Sequence, residues 1–246
     1  MPWIACKLKP SKADVGALGS QFQEAWNRDF EANSHKPLVL MSLINTFPSI
    51  PAGLPVSKYM GVSAFSVYPY SPGHVQIITG TGINDSVNFA TRFFSDAQGV
   101  DIKDCAWAYK KQREIVRRMD NYRGKVAATH PPFAISSQAA CGERAGCNGE
   151  MIEDISYTPE YGLVIENWLR QNVSTAWHSL GMFEIAPLDQ IGVVDVDLNV
   201  HGVKNLKIIS LSIPPSNVAA NTNNTAMAIG EKGEDLCIRE LVVASR

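Results

Sequence analysis

The chain has 246 residues, 45% of them hydrophobic and 19% charged, with 22 basic and 24 acidic side chains. This ordinary globular balance excludes a wholly disordered or collagen-like chain and allows one large domain or two small ones. A formal net charge of −2 without a lysine-rich run argues against nucleic acid as a partner. The most apolar stretch, Pro37 to Ile44, is far shorter than the roughly 20 residues needed to cross a bilayer.

Met1-Pro2-Trp3-Ile4-Ala5-Cys6 carries no basic segment followed by an apolar one, so no secretory signal is expected and a cytoplasmic location is. Cys6, Cys105, Cys141, Cys147 and Cys237 then read as reduced thiols. Cys141 and Cys147 could instead form a loop disulfide or supply two metal ligands, but their spacing matches no common zinc pattern, so no metal is expected.

Ser11 opens a capping pattern with Asp14, and Val15, Leu18, Phe22 and Trp26 follow at helical spacing, which predicts a helix over 13–29. Residues 37–44 read as a buried strand and 48–55, with three prolines, as an irregular loop. Two strands are expected near 61–69 and 74–79, joined by the Ser71-Pro72-Gly73 turn. Ile102, Cys105, Ala106, Tyr109 and Val116 mark one face of a helix over 101–118. Residues 120–157 read as a long excursion. Thr158-Pro159-Glu160 starts a helix to about Gln171 that buries Val164, Ile165, Trp168 and Leu169. Short strands follow near 193–195, 198–200 and 206–211, and a last helix over 223–241. The order predicts an α+β fold, a mainly antiparallel sheet covered by helices, with 1–246 as a single domain.

No phosphate-binding glycine loop, nucleophile elbow or paired-histidine metal motif is present. Two segments remain: Trp177-His178-Ser179-Leu180-Gly181, and the polar turn from Asn217 to Thr225 that enters the last helix. An imidazole can take a proton near working pH, and a buried amide can donate to a developing alkoxide. A core histidine and an asparagine cap would look the same by spacing alone.

Trp177-His178-Ser179-Leu180-Gly181, the run from Gly192 through Asn199-Val200-His201-Gly202-Val203 to Lys207, Ser212-Ile213-Pro214-Pro215, and Asn221-Thr222-Asn223-Asn224-Thr225 with Ile229-Gly230-Glu231-Lys232 together resemble the C-terminal signature of the glucose–methanol–choline oxidoreductases. The Asn221-Thr222 pair and Trp107-Ala108-Tyr109-Lys110-Lys111-Gln112-Arg113-Glu114 are similar to the alcohol (methanol) oxidase branch. The resemblance implies an FAD enzyme that oxidises the CH–OH group of a primary alcohol, with His178 and Asn221 as the catalytic pair and Asn223 and Thr225 beside the cofactor. It covers the substrate domain and a closing segment, 190–241, that in relatives packs on the flavin domain. The dinucleotide-binding half has no counterpart in these residues, so the isolated chain is expected to hold FAD weakly or not at all.

Three positions depart from the family pattern. Ser210 stands where relatives carry an aspartate near the cofactor, Met182 replaces a threonine, and Glu184 adds a carboxylate near His178, catalytic or merely solvated. Other readings therefore stand beside the oxidase: a redox-silent descendant using His178 for proton transfer on a small organic substrate, and a non-catalytic binding or truncated protein. Expected partners are a small alcohol and either a separate FAD-binding chain or a second copy, docked on Ile208, Ile209, Ile213 and Ala226. Relatives are often peroxisomal, but Val243-Ala244-Ser245-Arg246 is no convincing peroxisomal signal.

Overall fold

A computed structural model describes residues 4–47, 53–80, 82, 84–141 and 151–244. The contacts cluster into two compact units, 1–174 and 175–246; the expected closing segment lies wholly within the second.

In the first unit, β1 (Ile4–Leu8), β2 (Val39–Ile44) and β3 (Gly61–Ser66) form an antiparallel sheet in the order β1-β2-β3. The antiparallel α+β expectation holds, with one strand more than expected at the N-terminal edge. The strand expected at 74–79 does not join this sheet. It forms β4 (His74–Ile77), which pairs with β5 (Val87–Ala90) in a separate ribbon. Val75 faces Phe89 and Ile77 faces Val87. Gly73 leads into β4 so close to β5 that a Cβ there would lie 2.8 Å from the Ala90 carbonyl oxygen.

The helix expected over 13–29 is two helices, α1 (Lys12–Ala17) and α2 (Ser20–Asp29). The break falls at Gly19, whose φ of +93° an L side chain rarely adopts. The capping box forms as read: Ser11 Oγ accepts from the Asp14 N–H at 3.1 Å, and Asp14 accepts from the Ser11 N–H at 3.0 Å. Val15, Phe22, Trp26 and Phe30 pack with Leu38, with Val39 of the sheet and with Val100 and Trp107 of α3 (Val100–Arg117). At the α3 N-terminus Asp96 accepts from the Val100 N–H at 2.6 Å.

The last helix of this unit, α4 (Pro159–Asn172), begins at the Thr158 cap and packs on α3 rather than on the sheet. Ile165 is its fully buried residue, set against Ala106 and Tyr109.

The second unit has little regular structure before α5 (Asn223–Ala244). The expected short strands are reduced to bridges, Ile185 with Val194, Val194 with Val200, and Asn199 with Lys207. Val194, Leu198, Ile213 and Leu236 form its core, so α5 packs on this bridged segment. Gly233 makes the closest approach: a Cβ there would meet the Ile209 side chain at 2.4 Å. Among the described residues no helix is long and apolar enough to cross a membrane.

Candidate active site

His178 and Asn221 lie 43 positions apart and meet within the second unit. Backbone pairing brings their segments together: the Phe183 N–H donates to the Ser212 carbonyl at 2.8 Å and the Ile185 N–H to the Ile213 carbonyl at 2.9 Å. One segment follows His178 and the other precedes Asn221. Trp177 has a left-handed φ of +62°, and its N–H donates to Thr175 Oγ1 at 3.0 Å. Trp177 as a whole is 84% exposed.

Asn221 Nδ2 lies 3.2 Å from His178 Nε2. The roles in this contact follow from a second one. The Asn223 N–H, which can only donate, reaches Asn221 Oδ1 at 3.0 Å. That identifies Oδ1 and leaves the amide NH₂ facing the imidazole. Nε2 is then the acceptor, with its lone pair toward the amide and the ring proton on Nδ1. Both side chains are exposed, so His178 is not a core histidine. Asn221 does cap the start of α5, and it does so while facing His178.

Asn223 is exposed at the first position of α5, and its Nδ2 lies 3.9 Å from Met227 Sδ. Thr225 is half-buried one turn in. Between them and Asn221, Thr222 is buried, and its Oγ1 has no hydrogen-bond partner among the described residues. Ser210, in the family's aspartate position, has its hydroxyl 2.5 Å from that of buried Ser212. Glu184 is exposed; its Oε1 lies 3.9 Å from where a Cβ on Gly181 would sit.

The donor set fits one side of a flavin. The ring system presents carbonyl and ring-nitrogen acceptors and a flat apolar face. The first-turn N–H groups of a helix have no intrahelical partners, and they favour electron-rich oxygen. At α5 these groups lie beside Asn223, Thr225 and the His178–Asn221 pair, and exposed Trp177 and Met182 add apolar surface to the same unit.

Of the apolar residues expected at an open face, Ile209 is 38% exposed, and Ile208 and Ala226 are half-buried. Ile213 is not open: it is 6% exposed because it fills the core with Val194 and Leu236. Cys147 and the C-terminal Ser245-Arg246 lie outside the described residues, so the Cys141–Cys147 alternatives stay untested.

The sequence reading missed a second cluster. Arg113 is buried against Tyr109, Phe133 and Tyr157, and His130 Nδ1 lies 2.9 Å from the Tyr109 hydroxyl. Helical spacing carried the signal, since Ile102, Ala106, Tyr109 and Arg113 fall on one face of α3.

Comparison with known proteins matches the GMC oxidoreductase model over residues 69–230. The alcohol oxidase of Pichia angusta is 31% identical over 96% of this chain and 42% of its own length. Alcohol oxidase 1 of Komagataella phaffii is 32% identical over 94% of this chain and again 42% of its own. The chain therefore spans less than half the length of these relatives. A solved structure of Aspergillus oryzae formate oxidase superposes with a TM-score of 0.67 at 19% identity, covering 96% of this chain and 38% of that one, which shows a shared fold. Through its C-terminal signature, the chain belongs to the GMC oxidoreductase family.

Proposed function

We propose that this chain supplies the alcohol-handling part of an FAD-dependent oxidase acting on primary alcohols. The 3.2 Å approach of Asn221 Nδ2 to His178 Nε2 carries this reading. A donor and a lone pair facing each other at the surface are the two groups an alcohol hydroxyl needs. The oxygen accepts from the Asn221 amide and donates its proton to Nε2. As that proton moves, the amide N–H stabilises the alkoxide. Because His178 is exposed, it can return the proton to solvent. Asn223 and Thr225, at the α5 N-terminus, would face the flavin. FAD, held beside these residues, would supply the hydride acceptor for the alcohol carbon.

The phosphate-bearing part of FAD needs residues outside this chain's family match, so the working assembly includes a flavin-binding part. That part would cover the 190–241 face, where Val203, Leu206, Ile209 and Met227 are exposed. A second copy of the chain on this face is the other arrangement, and sedimentation separates the two.

The test combines the purified chain, excess FAD and the flavin-binding part of an alcohol oxidase relative supplied in trans. Under anaerobic conditions, methanol or ethanol should bleach the 450 nm absorbance in the wild type and not in His178→Ala. Bound flavin that no primary alcohol bleaches would overturn the reading.

A further inference from the structure

The ribbon of β4 and β5 carries an apolar face that lies open to solvent. Cross-strand partners share a face, so the register puts Val75 with Phe89 and Ile77 with Val87 on one side. Gln76 with Asn88 and His74 with Ala90 fall on the other. Asn88 Nδ2 donates to Gln76 Oε1 at 3.2 Å, as two side chains on one side can. His74 and Ala90 are half-buried, and His74 Nε2 is shut off from solvent, so the polar side meets the rest of the chain at its base. The four apolar residues are each more than half exposed.

A two-stranded ribbon on its own is only marginally stable in water, and an open apolar face of this kind marks a docking surface. Among the described residues no third strand joins either edge. Neither strand carries an acidic residue, a lysine or an arginine: β4 reads His-Val-Gln-Ile and β5 reads Val-Asn-Phe-Ala. Such a face offers no ion pair to a charged peptide or an anionic membrane. It can meet its own copy without like-charge repulsion.

The charges sit at the two ends of the ribbon. Asp85 lies at the tip, where it accepts from the Thr79 hydroxyl and from the Gly82 N–H at 3.0 Å. Arg92 lies just past the base, exposed and with no carboxylate in ion-pair distance among the described residues. Two such ribbons can stack apolar face on apolar face about a two-fold axis in two ways. An axis along the strands lays tip on tip and sets Asp85 against Asp85 and Arg92 against Arg92. An axis across the strands lays tip on base and sets Asp85 of each copy against Arg92 of the other. Only the second arrangement pairs opposite charges, and it does so at both ends.

We propose that the β4–β5 face is a self-docking surface, on which two copies of this chain stack their ribbons antiparallel, tip on base. Ile77 then covers Val75 of the second copy and Val87 covers Phe89, so four strands enclose one apolar layer, with the ribbons about 10 Å apart. The contact is isologous and closes at two copies. Strands of four residues span only about 13 Å. The area they bury falls short of the roughly 800 Å² per partner of a standard interface, so the dimer is weak and depends on concentration. The surface belongs to the first unit and is separate from the 190–241 face of the second. It does not rest on the alcohol-oxidase reading.

The test is sedimentation velocity of the intact chain over a concentration series. The weight-average mass of the wild type should climb from one chain toward two. Phe89→Asp puts a charge into the apolar layer and should raise the dissociation constant at least about tenfold. If the ribbon fails to form in that variant, Arg92→Glu, outside both strands, still decides. It makes both end contacts repulsive and should weaken the dimer about three- to tenfold, more at low salt than at high. Leu206→Asp, on the 190–241 face, should leave the association unchanged. A wild-type chain that stays monomeric at every concentration overturns the inference, whether or not the flavin-binding part supplied in trans then protects the ribbon from hydrogen exchange. So does a dimer that Leu206→Asp abolishes and Arg92→Glu leaves intact, which would seat the second copy on the other face.

Discussion

Residues 1–174 bury Asp101, Asp104 and Arg113 along α3, whereas residues 175–246 leave His178 and Asn221 at the surface. The apolar side chains divide only by degree, since the first unit also exposes Ile77, Phe89 and Ile135. The first unit draws Phe22, Trp26, Phe30 and Val39 into one aromatic-rich core, with the Trp26 and Phe30 rings stacked at 5.3 Å. The second has a smaller core of Val194, Leu198, Ile213 and Leu236 and leaves Trp177, Leu188, Ile191, Val196 and Leu241 exposed. Exposed apolar patches of this extent mark surfaces that something covers. Among the described residues, the first unit is thus built around an aromatic core, and the second leaves a larger share of its apolar side chains at the surface. This contrast can be broken in five ways.

The largest expected effect is on rate. On the proposed reading His178→Ala removes the base, with an expected loss of about 10²–10⁴-fold in turnover. Because His178 is exposed, the melting midpoint should hardly move. Alcohol-dependent bleaching at 450 nm and a thermal melt of the same sample check both halves. A variant that unfolds but keeps its rate would place the histidine among the structural residues after all.

Next comes a pair of truncations read by denaturant unfolding. Phe22 is 1% exposed, and Phe22→Ala should cost about 3–5 kcal/mol through lost burial and a residual cavity. Ile191 is 89% exposed, and Ile191→Ala should stay within about 0.5 kcal/mol. Equal costs would remove the distinction between an interior-organised and a surface-organised unit.

The third concerns pH and the first unit alone. Burial pushes the Asp104 carboxyl from 3.8 up to about 8, opposed by the Ser66 hydroxyl at 2.6 Å and reinforced by Asp101. The folded state thus binds this proton more tightly than the unfolded one. Its contribution is complete below about pH 4 and is lost as pH rises toward 8. His130 runs the other way: with its folded value lowered to about 4, its contribution is complete above 6.5 and is lost as pH falls toward 4. Asp104→Asn keeps the neutral shape. It should therefore raise the melting midpoint at pH 8 and leave it nearly unchanged at pH 4.5. A variant that is equally destabilised at both would show that the acid is ionised in the fold.

How far these features could be read beforehand depends on how local they are. The Ser11 box and the Thr158-Pro159 start involve residues three or fewer apart, and both helices begin where expected. The single helix over 13–29 failed because its apolar period runs straight through Gly19, and only the backbone angle there reveals the break. β1 and β5 escaped notice because a strand's partner is not written in the strand: β1 pairs with residues more than thirty positions away. The family resemblance puts Ile213 on an open face, yet this unit folds it inward onto Leu236. The pairing of His178 with Asn221 came from resemblance; spacing alone could not separate a base from a core histidine. What the structure adds is the direction of the contact, because the Asn223 N–H fixes which end of the amide faces the ring.

That direction sets the fourth expectation. Asn221→Ala removes an amide donor to an oxygen that gains charge, and hydrogen bonds to charged groups are worth about 1.5–3 kcal/mol. The rate should fall roughly 10–100-fold, less than for His178→Ala. Asn221→Asp, of nearly the same shape, should do no better, since a carboxylate there presents only acceptors to an alkoxide. Recovery of rate in the Asn221→Asp variant would reverse the assigned contact.

The smallest expected effect falls on Glu184, the carboxylate that the family pattern lacks. Its backbone is committed: the carbonyl accepts from the Val193 N–H at 2.9 Å, and the flanking Phe183 and Ile185 pair with 212–213. Its side chain is exposed and turned toward the Gly181 bend, whereas the contact recorded for His178 Nε2 is the Asn221 amide. Through water, two unit charges 4 Å apart interact by only about 1 kcal/mol, and salt reduces that further. Glu184→Gln should therefore change turnover by less than about fivefold and lose even that difference at high ionic strength. The measurement is a rate at low and high salt on one preparation. A loss as large as that of His178→Ala, insensitive to salt, would mean that Glu184 reaches the imidazole in the assembled enzyme, and the site would be a triad of His178, Asn221 and Glu184 rather than a pair.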